Sequence, residues 1–226
     1  MRIQAAVSKP SAILGAGVRE VSERALVEKY ECDASHYRGR AASVFIPSSE
    51  EEVAAVLERA SREGTTVTIS GGGTGLSGGR VPEDGKVLST EKLDRVISVE
   101  WDGKSETGRA VVAAGCPLLK LEEVLKTRGL FYPPAPGEKR GFLGGNIATN
   151  ASGPCSFRFG ATRPHVRRLR IVLETGDANE LRRGERIEGE SFEIVRPGRR
   201  PIRVVMPGYR MPACKNSAGY FAHPGM

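Results

Sequence analysis

The sequence predicts an α+β fold, and three observations carry that prediction. One segment holds a full set of helix signals, several short β-branched runs are bounded by glycine or proline, and the two kinds of element are interspersed without an internal repeat. The 226 residues suffice for one large domain or two small ones with a sizeable core.

Residues Glu20 to Glu31 read as an amphipathic helix with Val21, Ala25, Leu26 and Tyr30 on one side. The loop CDASHYRGR leads to a buried strand, Val44 to Ile46, which Pro47 ends. The clearest helix follows: Ser49 caps it, Glu52 completes a capping box, and Val53, Val56, Leu57 and Ala60 form its apolar stripe until Gly64 stops it. Thr65 to Ser70 is a β-branched strand that delivers the chain into GGGTGLSGG at 71–79. Lys86 to Thr90, Val96 to Glu100 and Arg109 to Ala114 read as strands. A helix starts near Pro117, a good first-turn residue, carries Leu118, Leu121, Val124 and Leu125, and ends at Gly129. The stretch 131–160 is too rich in Pro, Gly and Asn for regular structure, apart from a helical turn at Asn146 to Thr149, and irregular stretches of this length are usually functional. From Val166 a hairpin turns at Gly176-Asp177, and the β-rich pieces SFEIVRP and IRVVMP follow.

A composition of 39% hydrophobic and 27% charged residues is that of a globular protein, and no apolar run is long enough for an integral membrane segment. The formal charge of +7 admits nucleic acid, anionic lipid or a phosphate-bearing ligand. No nucleic acid partner is expected, because aromatics are sparse at 6% and no recognition motif is present. The cysteines Cys32, Cys116, Cys155 and Cys214 form no CxxC pair, so free thiols are expected, and no metal site. With no secretory signal visible, a cytoplasmic location is expected, with peripheral attachment to the inner face of a membrane left open.

Six of the nine residues at 71–79 are glycine, and Gly73, Gly75 and Gly78 fit GxGxxG. The dinucleotide fingerprint needs a helix to begin at the last glycines, which Pro82, Asp84 and Gly85 preclude, and the GK[ST] ending of a P-loop is missing. What remains is a loop whose bare N–H groups form an anion nest suited to a diphosphate, or else a tight turn between strands. A second segment, GGNIATNASG at 144–153, pairs small residues with hydrogen-bonding ones: a planar ligand can approach the backbone while Thr149, Asn150 and Ser152 meet its edges. Turn formation alone is the competing explanation there too.

With these motifs in order, the chain resembles the FAD-linked oxidases and dehydrogenases of the vanillyl-alcohol oxidase and p-cresol methylhydroxylase (PCMH) type, and within them the glycolate oxidase flavoprotein subunit and D-lactate dehydrogenase branch. The resemblance covers nearly all of Asp33 to Gly219, through DAS at 33–35, Val44 to Pro47, GGGTGLSGG, AAG at 113–115, PPAPG, LGGNIATNASG, FGAT at 159–162 and KNSAGY at 215–220.

The resemblance implies a PCMH-type FAD-binding domain of two α+β subdomains with FAD between them: an N-terminal helical segment at 1–40, subdomain 1 at 41–115 and subdomain 2 at 116–226. It implies that Gly71, Gly72, Gly73, Thr74, Gly75, Leu76, Ser77 and Gly78 wrap the pyrophosphate, and that Pro134 and Gly137 lie along the cofactor. Leu143, Gly144, Gly145, Ala148, Thr149, Asn150, Ser152 and Gly153 would approach its ribityl and flavin portions, with Phe159 and Gly160 close by. Many relatives carry Thr where Phe142 stands, so one hydroxyl contact is missing. Covalent members carry a histidine in the glycine loop where this chain has Thr74, so FAD is expected to be non-covalent.

A small 2-hydroxy acid such as glycolate or D-lactate is the implied substrate of the full-length enzyme, with an unidentified electron acceptor. Because the sequence stops at HPGM soon after KNSAGY, the chain is expected to be the flavin-binding part of a longer enzyme or a shortened gene product, without the substrate cap and inactive alone. The alternative is a non-catalytic binding module using its arginine-rich surface. Catalytic residues stay unknown: His36, His165 and His223 lie in no motif with a partner carboxylate and read as ordinary histidines. Cys155 reads as buried filler beside the flavin platform. In RPHVRRLR, Arg167 and Arg170 are expected on one strand face and Arg168 on the other, forming a solvated sheet edge or a subunit surface.

Overall fold

The computed structural model describes residues 2–3, 17–104, 106–184, 190–196, 199–206 and 208. Along them run β1 (Arg2–Ile3), β2 (Arg19–Val21), α1 (Arg24–Val27) continued by a 3-10 turn (Glu28–Tyr30), β3 (Ser43–Ile46), α2 (Glu50–Glu63), β4 (Val67–Ser70) and β5 (Lys86–Ser89). Then come β6 (Val96–Asp102), β7 (Thr107–Val112), α3 (Leu118–Lys126), α4 (Leu143–Ala148), α5 (Ser156–Phe159), a 3-10 turn (Arg163–His165), β8 (Arg168–Val172), β9 (Ala178–Arg182), β10 (Ser191–Ile194) and β11 (Ile202–Val205).

The first sheet has the order β2-β3-β5-β4, with β3, β5 and β4 parallel and β2 antiparallel at the edge. Every residue of β3 is buried, because both faces of the strand are covered. Val44, Ile46 and Val87 pack with Val27, Tyr30 and Ala41 on one face, while Phe45 and Leu88 pack with Val56 of α2 on the other.

α2 forms where its signals place it. Ser49 Oγ accepts the Glu52 N–H at 3.2 Å, and Gly64 closes the helix in the left-handed region at φ 65°. The return bond of the capping box is shifted by one residue: the Glu52 carboxylate accepts the Ser48 N–H at 2.6 Å and the Ser48 hydroxyl at 3.0 Å. The helix expected over Glu20 to Glu31 is shorter, since Arg19–Val21 pair with the open edge of β3 as a strand and helical turns span only Arg24 to Tyr30. Edge pairing with a buried strand overrides the local apolar period.

In the second half, the antiparallel hairpin β6-β7 packs on α3 around Cys116, Leu118, Leu121, Leu125 and Leu143. Pro117 is the N-cap of α3 rather than its first helical residue. The stretch read as irregular holds α4, longer than the turn expected, and α5. The hairpin β8-β9 turns at 173–177, as expected. The expectation for its arginines is corrected: Arg167 precedes the strand, and the two-residue period places Arg168 and Arg170 together on an exposed face. Arg170 pairs there with Glu50 of α2 at 2.5 Å, and Arg168 and Arg182 bracket Glu180. β1, β10 and β11 make a further small sheet. Among the described residues no helix is long and apolar enough to cross a membrane. Residues Met206 and Gly208 are the last described, so KNSAGY, Cys214 and His223 lie outside the described residues.

A buried carboxylate ties α1 to the segment before β3. Glu31, 5% exposed, accepts the Arg24 guanidinium at Oε1 (2.6 Å) and the Ala41 N–H at 2.7 Å. The Arg24 hydrogen bonds, helped by that from Ala41, hold its carboxyl below the ordinary value of 4.5 against the opposing effect of burial. A carboxyl whose pKa is lowered on folding stabilises the fold above its unfolded value, and that stability is lost as pH falls through the folded value. Urea midpoints measured below pH 4.5 should therefore fall less steeply for Glu31→Gln than for the wild type. Removing the cap with Ser49→Ala should cost about 1 kcal/mol, read as a fall of about 2 to 4 °C in the thermal midpoint.

Candidate functional site

β4 ends at the fully buried Ser70, whose carbonyl accepts the Thr90 N–H at 3.0 Å and the Thr90 hydroxyl at 3.2 Å. The chain leaves the sheet here as the irregular loop 71–79, at the carboxyl end of a parallel strand. Asp33 pins the far end of the loop, accepting the Gly78 N–H together with the Ser35 N–H at 2.9 Å. Burial raises the Asp33 pKa, but the hydrogen bond from the Ser35 hydroxyl, joined by these two N–H groups, outweighs it and holds the carboxyl below its usual range. Gly73 and Gly78 both stand at φ 73°.

The second segment is fastened to the other half of the fold. Leu143 N–H donates to Cys116 O (2.9 Å) and Gly144 N–H to Ala114 O (2.8 Å), while Leu118 N–H donates to Gly141 O (2.9 Å). α4 therefore turns Leu143 and Asn146 inward and leaves Gly145, Ala148 and Thr149 on an exposed face. That face is flat because its side chains are hydrogen, methyl and a hydroxyl committed to Gly145 O at 2.9 Å. Asn150 is buried at φ 50°, with Oδ1 accepting the Arg163 N–H at 2.8 Å. The Gly153 N–H donates to Ser156 Oγ at 2.9 Å, Ser152 is half-buried, and Thr162 Oγ1 donates to Ala151 O at 2.7 Å.

The two segments meet. A Cβ on Gly72 would lie 2.7 Å from Arg140 O and 3.2 Å from Phe142 Cδ1, and one on Gly141 would lie 3.2 Å from Thr74 Oγ1 and 3.1 Å from Asn146 Oδ1. Gly71, Gly137 and Gly145 face open space instead, and a Cβ on Gly75 would meet only Asp33 Oδ2 at 3.6 Å. Leu76 and Ser77 are exposed, Leu76 at 79%. Phe159 and Gly160 are half-buried nearby in sequence, Phe159 edge-on to the exposed Phe131 at 5.5 Å. Pro134 is fully buried, its carbonyl accepting the Ser156 hydroxyl at 3.5 Å.

Two residues that the sequence reading passed over matter here. Asn146 is buried, and its Nδ2 has no hydrogen-bond partner among the described residues. Arg80 sends its guanidinium beneath the glycine loop rather than into solvent. Cys155 is exposed, not buried, because α5 is a single turn on the surface with Phe157 fully exposed beside it. His36 stands at φ 66°, and His165 Nε2 lies 2.8 Å from Phe159 O. Among the described residues no cluster of histidine, cysteine or carboxylate side chains is placed to hold a metal ion.

These features fit a long ligand with an anionic middle and a flat end. The glycine loop leaves backbone open to an anion, the exposed face of α4 is flat, and on the inward face of α4 a buried amide donor lacks an acceptor among the described residues. Known proteins agree with this fit. Residues 41–182 match the family described as FAD binding domain. The chain is 43% identical over 141 residues to a D-lactate dehydrogenase of Archaeoglobus fulgidus, covering 61% of this chain and 31% of that protein. It is 32% identical over 170 residues to the glycolate oxidase subunit GlcD of Escherichia coli K12, covering 74% and 33%. The chain thus spans about a third of the length of these relatives. Among solved structures, an alkyldihydroxyacetonephosphate synthase aligns with a TM-score of 0.64 at 22% identity, over 74% of this chain and 33% of that one. For 6-hydroxy-D-nicotine oxidase from Arthrobacter nicotinovorans the TM-score is 0.63 at 16% identity, over 77% and 38%; at these identities the likeness shows a shared fold. The chain belongs to the FAD binding domain family of FAD-linked oxidoreductases, of PCMH-type fold, with FAD as its cofactor.

Proposed function

We propose that the chain is the flavin-holding part of an oxidoreductase that oxidises a small 2-hydroxy acid, with FAD bound non-covalently between subdomains at 41–115 and 116–226, behind an N-terminal segment at 1–40. The observation that carries this reading is the meeting of the glycine loop with the start of α4, which sets an open backbone loop beside a flat exposed helix face. Relatives named D-lactate dehydrogenase, D-2-hydroxyglutarate dehydrogenase and glycolate oxidase support the substrate class.

In this reading the loop 71–78 receives the diphosphate on its backbone N–H groups, that of Gly78 excepted because Asp33 holds it, and Gly145, Ala148 and Thr149 receive the ribityl and flavin portions. Gly137 borders them. The buried Asn146 Nδ2 supplies a donor that costs nothing further to desolvate, since it is already out of water and has no partner among the described residues. Leu143, Gly144 and Gly153 shape the platform from behind through the backbone bonds given above and Asn150 through its side-chain oxygen, with the half-buried Ser152 between them in sequence and Pro134 locking that wall. Bound FAD supplies a hydride acceptor. Oxidation of a hydroxyl carbon also needs a base within reach of the hydroxyl proton, and no histidine–carboxylate pair is formed by His36 or His165. The base is therefore assigned to residues beyond those described. Thr74 in the glycine loop offers no group that links to flavin.

The binding-module alternative has less support, because the arginines it would use are engaged within the molecule: Arg170 with Glu50, Arg168 and Arg182 with Glu180, Arg199 with Glu58.

Gly75→Val tests the loop. Its backbone is not left-handed and a Cβ there meets only Asp33 Oδ2 at 3.6 Å, so the apo protein should unfold within about 3 °C of wild type. FAD affinity should fall at least about tenfold, or 1.4 kcal/mol, because a branched side chain stands where the diphosphate must approach. Unchanged affinity by flavin fluorescence quenching refutes the loop assignment. Acid precipitation should release yellow flavin into the supernatant; colour retained on the pellet refutes non-covalent binding. With excess FAD and an artificial acceptor, the 226 residues should not turn over glycolate, D-lactate or D-2-hydroxyglutarate. Rapid flavin bleaching by any of them would put the base within this chain.

A further inference from the structure

Arg80 directly follows the glycine loop, and four hydrogen bonds hold its side chain beneath it. Nε donates to Cys32 O at 2.8 Å and Nη2 to Lys29 O at 2.6 Å, so two points of the N-terminal segment are fastened. Nη1 donates to Ser70 Oγ at 3.2 Å and Gly71 O at 3.1 Å, fastening the place where the chain leaves β4 for the loop. The guanidinium carbon lies 2.5 Å from where a Cβ on Gly73 would stand, so the fork fills the space under the first left-handed residue of the loop. All four acceptors are neutral oxygens, and among the described residues Arg80 forms no ion pair. Burial pulls its pKa down, while Cys32, Asp33, Tyr30 and Glu91 act on it through space in the opposite direction.

We propose that Arg80 is a positioning residue for the cofactor diphosphate. It clasps the segment 29–32 to the start of the glycine loop, holding the loop in its anion-ready shape before the ligand arrives, and sets behind that loop a positive charge bonded to no carboxylate among the described residues. The inference rests on the reading of residues 71–78 as the diphosphate site. Two physical facts carry it. A partly buried cation bonded only to neutral oxygens keeps its full charge, and an anion on the other side of the loop gains from that charge in a medium of low dielectric. A loop already ordered also loses less freedom on binding than one that must be ordered by the ligand. The work needs a fork. Arginine reaches all four acceptors from one planar fork, whereas a lysine ammonium reaches one region from a flexible stem.

The test uses the 226-residue chain, comparing wild type with Arg80→Ala and Arg80→Lys, and with Ser49→Ala as the baseline for a general loss of stability. FAD affinity is read by fluorescence quenching, and amide hydrogen exchange of residues 71–79 is read on the apo protein. Both Arg80 variants should lose at least about tenfold in FAD affinity and exchange the loop amides faster, whereas Ser49→Ala should change neither. If Arg80→Ala does not fold, Arg80→Lys decides. Wild-type affinity in Arg80→Lys overturns the clasp, since charge alone would then suffice, and so does unchanged loop exchange in either variant. Failure of the parent reading is seen separately. If the wild type takes up no FAD, or Gly75→Val binds it normally, the diphosphate site is refuted, and the exchange comparison still decides whether Arg80 holds the loop.

Discussion

Backbone must touch backbone, with no side chain between, where the glycine loop meets the segment leading into α4. Gly72 lies against the Arg140 carbonyl, and Gly144 lies against Ala114, where a Cβ would come to 3.0 Å from both the side chain and the carbonyl. Any other residue at Gly72 would push the two segments apart, and at Gly144 the neighbouring Ala114 would have to give way by a few tenths of an ångström. Glycine costs conformational entropy at such positions, and what offsets it is local: paired N–H groups at 143 and 144, and Leu143 buried among Leu118, Leu121 and Leu125. The start of α4 is thereby fixed, and with it the direction of both faces of the helix. The inward face carries the buried amide of Asn146 and the outward face only small groups.

The first sheet supplies the rigid side of this contact. Because β3 and β5 are covered on both faces, their positions are set by Val44, Phe45, Val87 and Leu88, and β4 inherits its register from β5. Thr90, just past β5, holds the carbonyl of Ser70 with both its N–H and its hydroxyl, so the carboxyl ends of two adjacent parallel strands are tied together where the glycine loop begins. Ligand sites of open sheets with parallel strands lie at such ends. Here a loop without side chains at most of its positions needs that anchor, having little packing of its own.

Legibility in the sequence follows how local each signal is. α2 could be read nearly to the residue, since its cap, its stripe and its stop all lie within 49–64. The glycine loop and the small-residue segment were equally plain, because a run of glycines after a strand has few physical explanations. The strand Arg19–Val21 was not legible: its helical period is real, but the open edge of β3 some 25 residues on decides its state, as the pairing Glu20↔Phe45 shows. Arg80 was missed for a like reason. An arginine beside glycines looks like a surface cation, and its acceptors at Lys29 and Cys32 lie 51 and 48 positions away. Cys155 was misplaced because α5, at four residues, is too short to show a period that would mark an outward side.

The two charged groups at the glycine loop act on it in different ways. Asp33 takes the Gly78 N–H for itself and, lying near Gly75, adds a negative charge that disfavours an anion there. Arg80 restores the balance from below, and it does so through neutral acceptors, so its charge is not cancelled by the bonds that hold it. Both groups fasten loop residues to the segment 29–35, at Gly78 through Asp33 and at Gly71 through Arg80. That segment is in turn held to the core by Tyr30, buried against Val44, and by Glu31 on the Ala41 N–H. The shape of the loop is thus set from outside its own sequence: the glycines make a close approach sterically open, and the segment before β3 decides which of the many conformations open to them is kept.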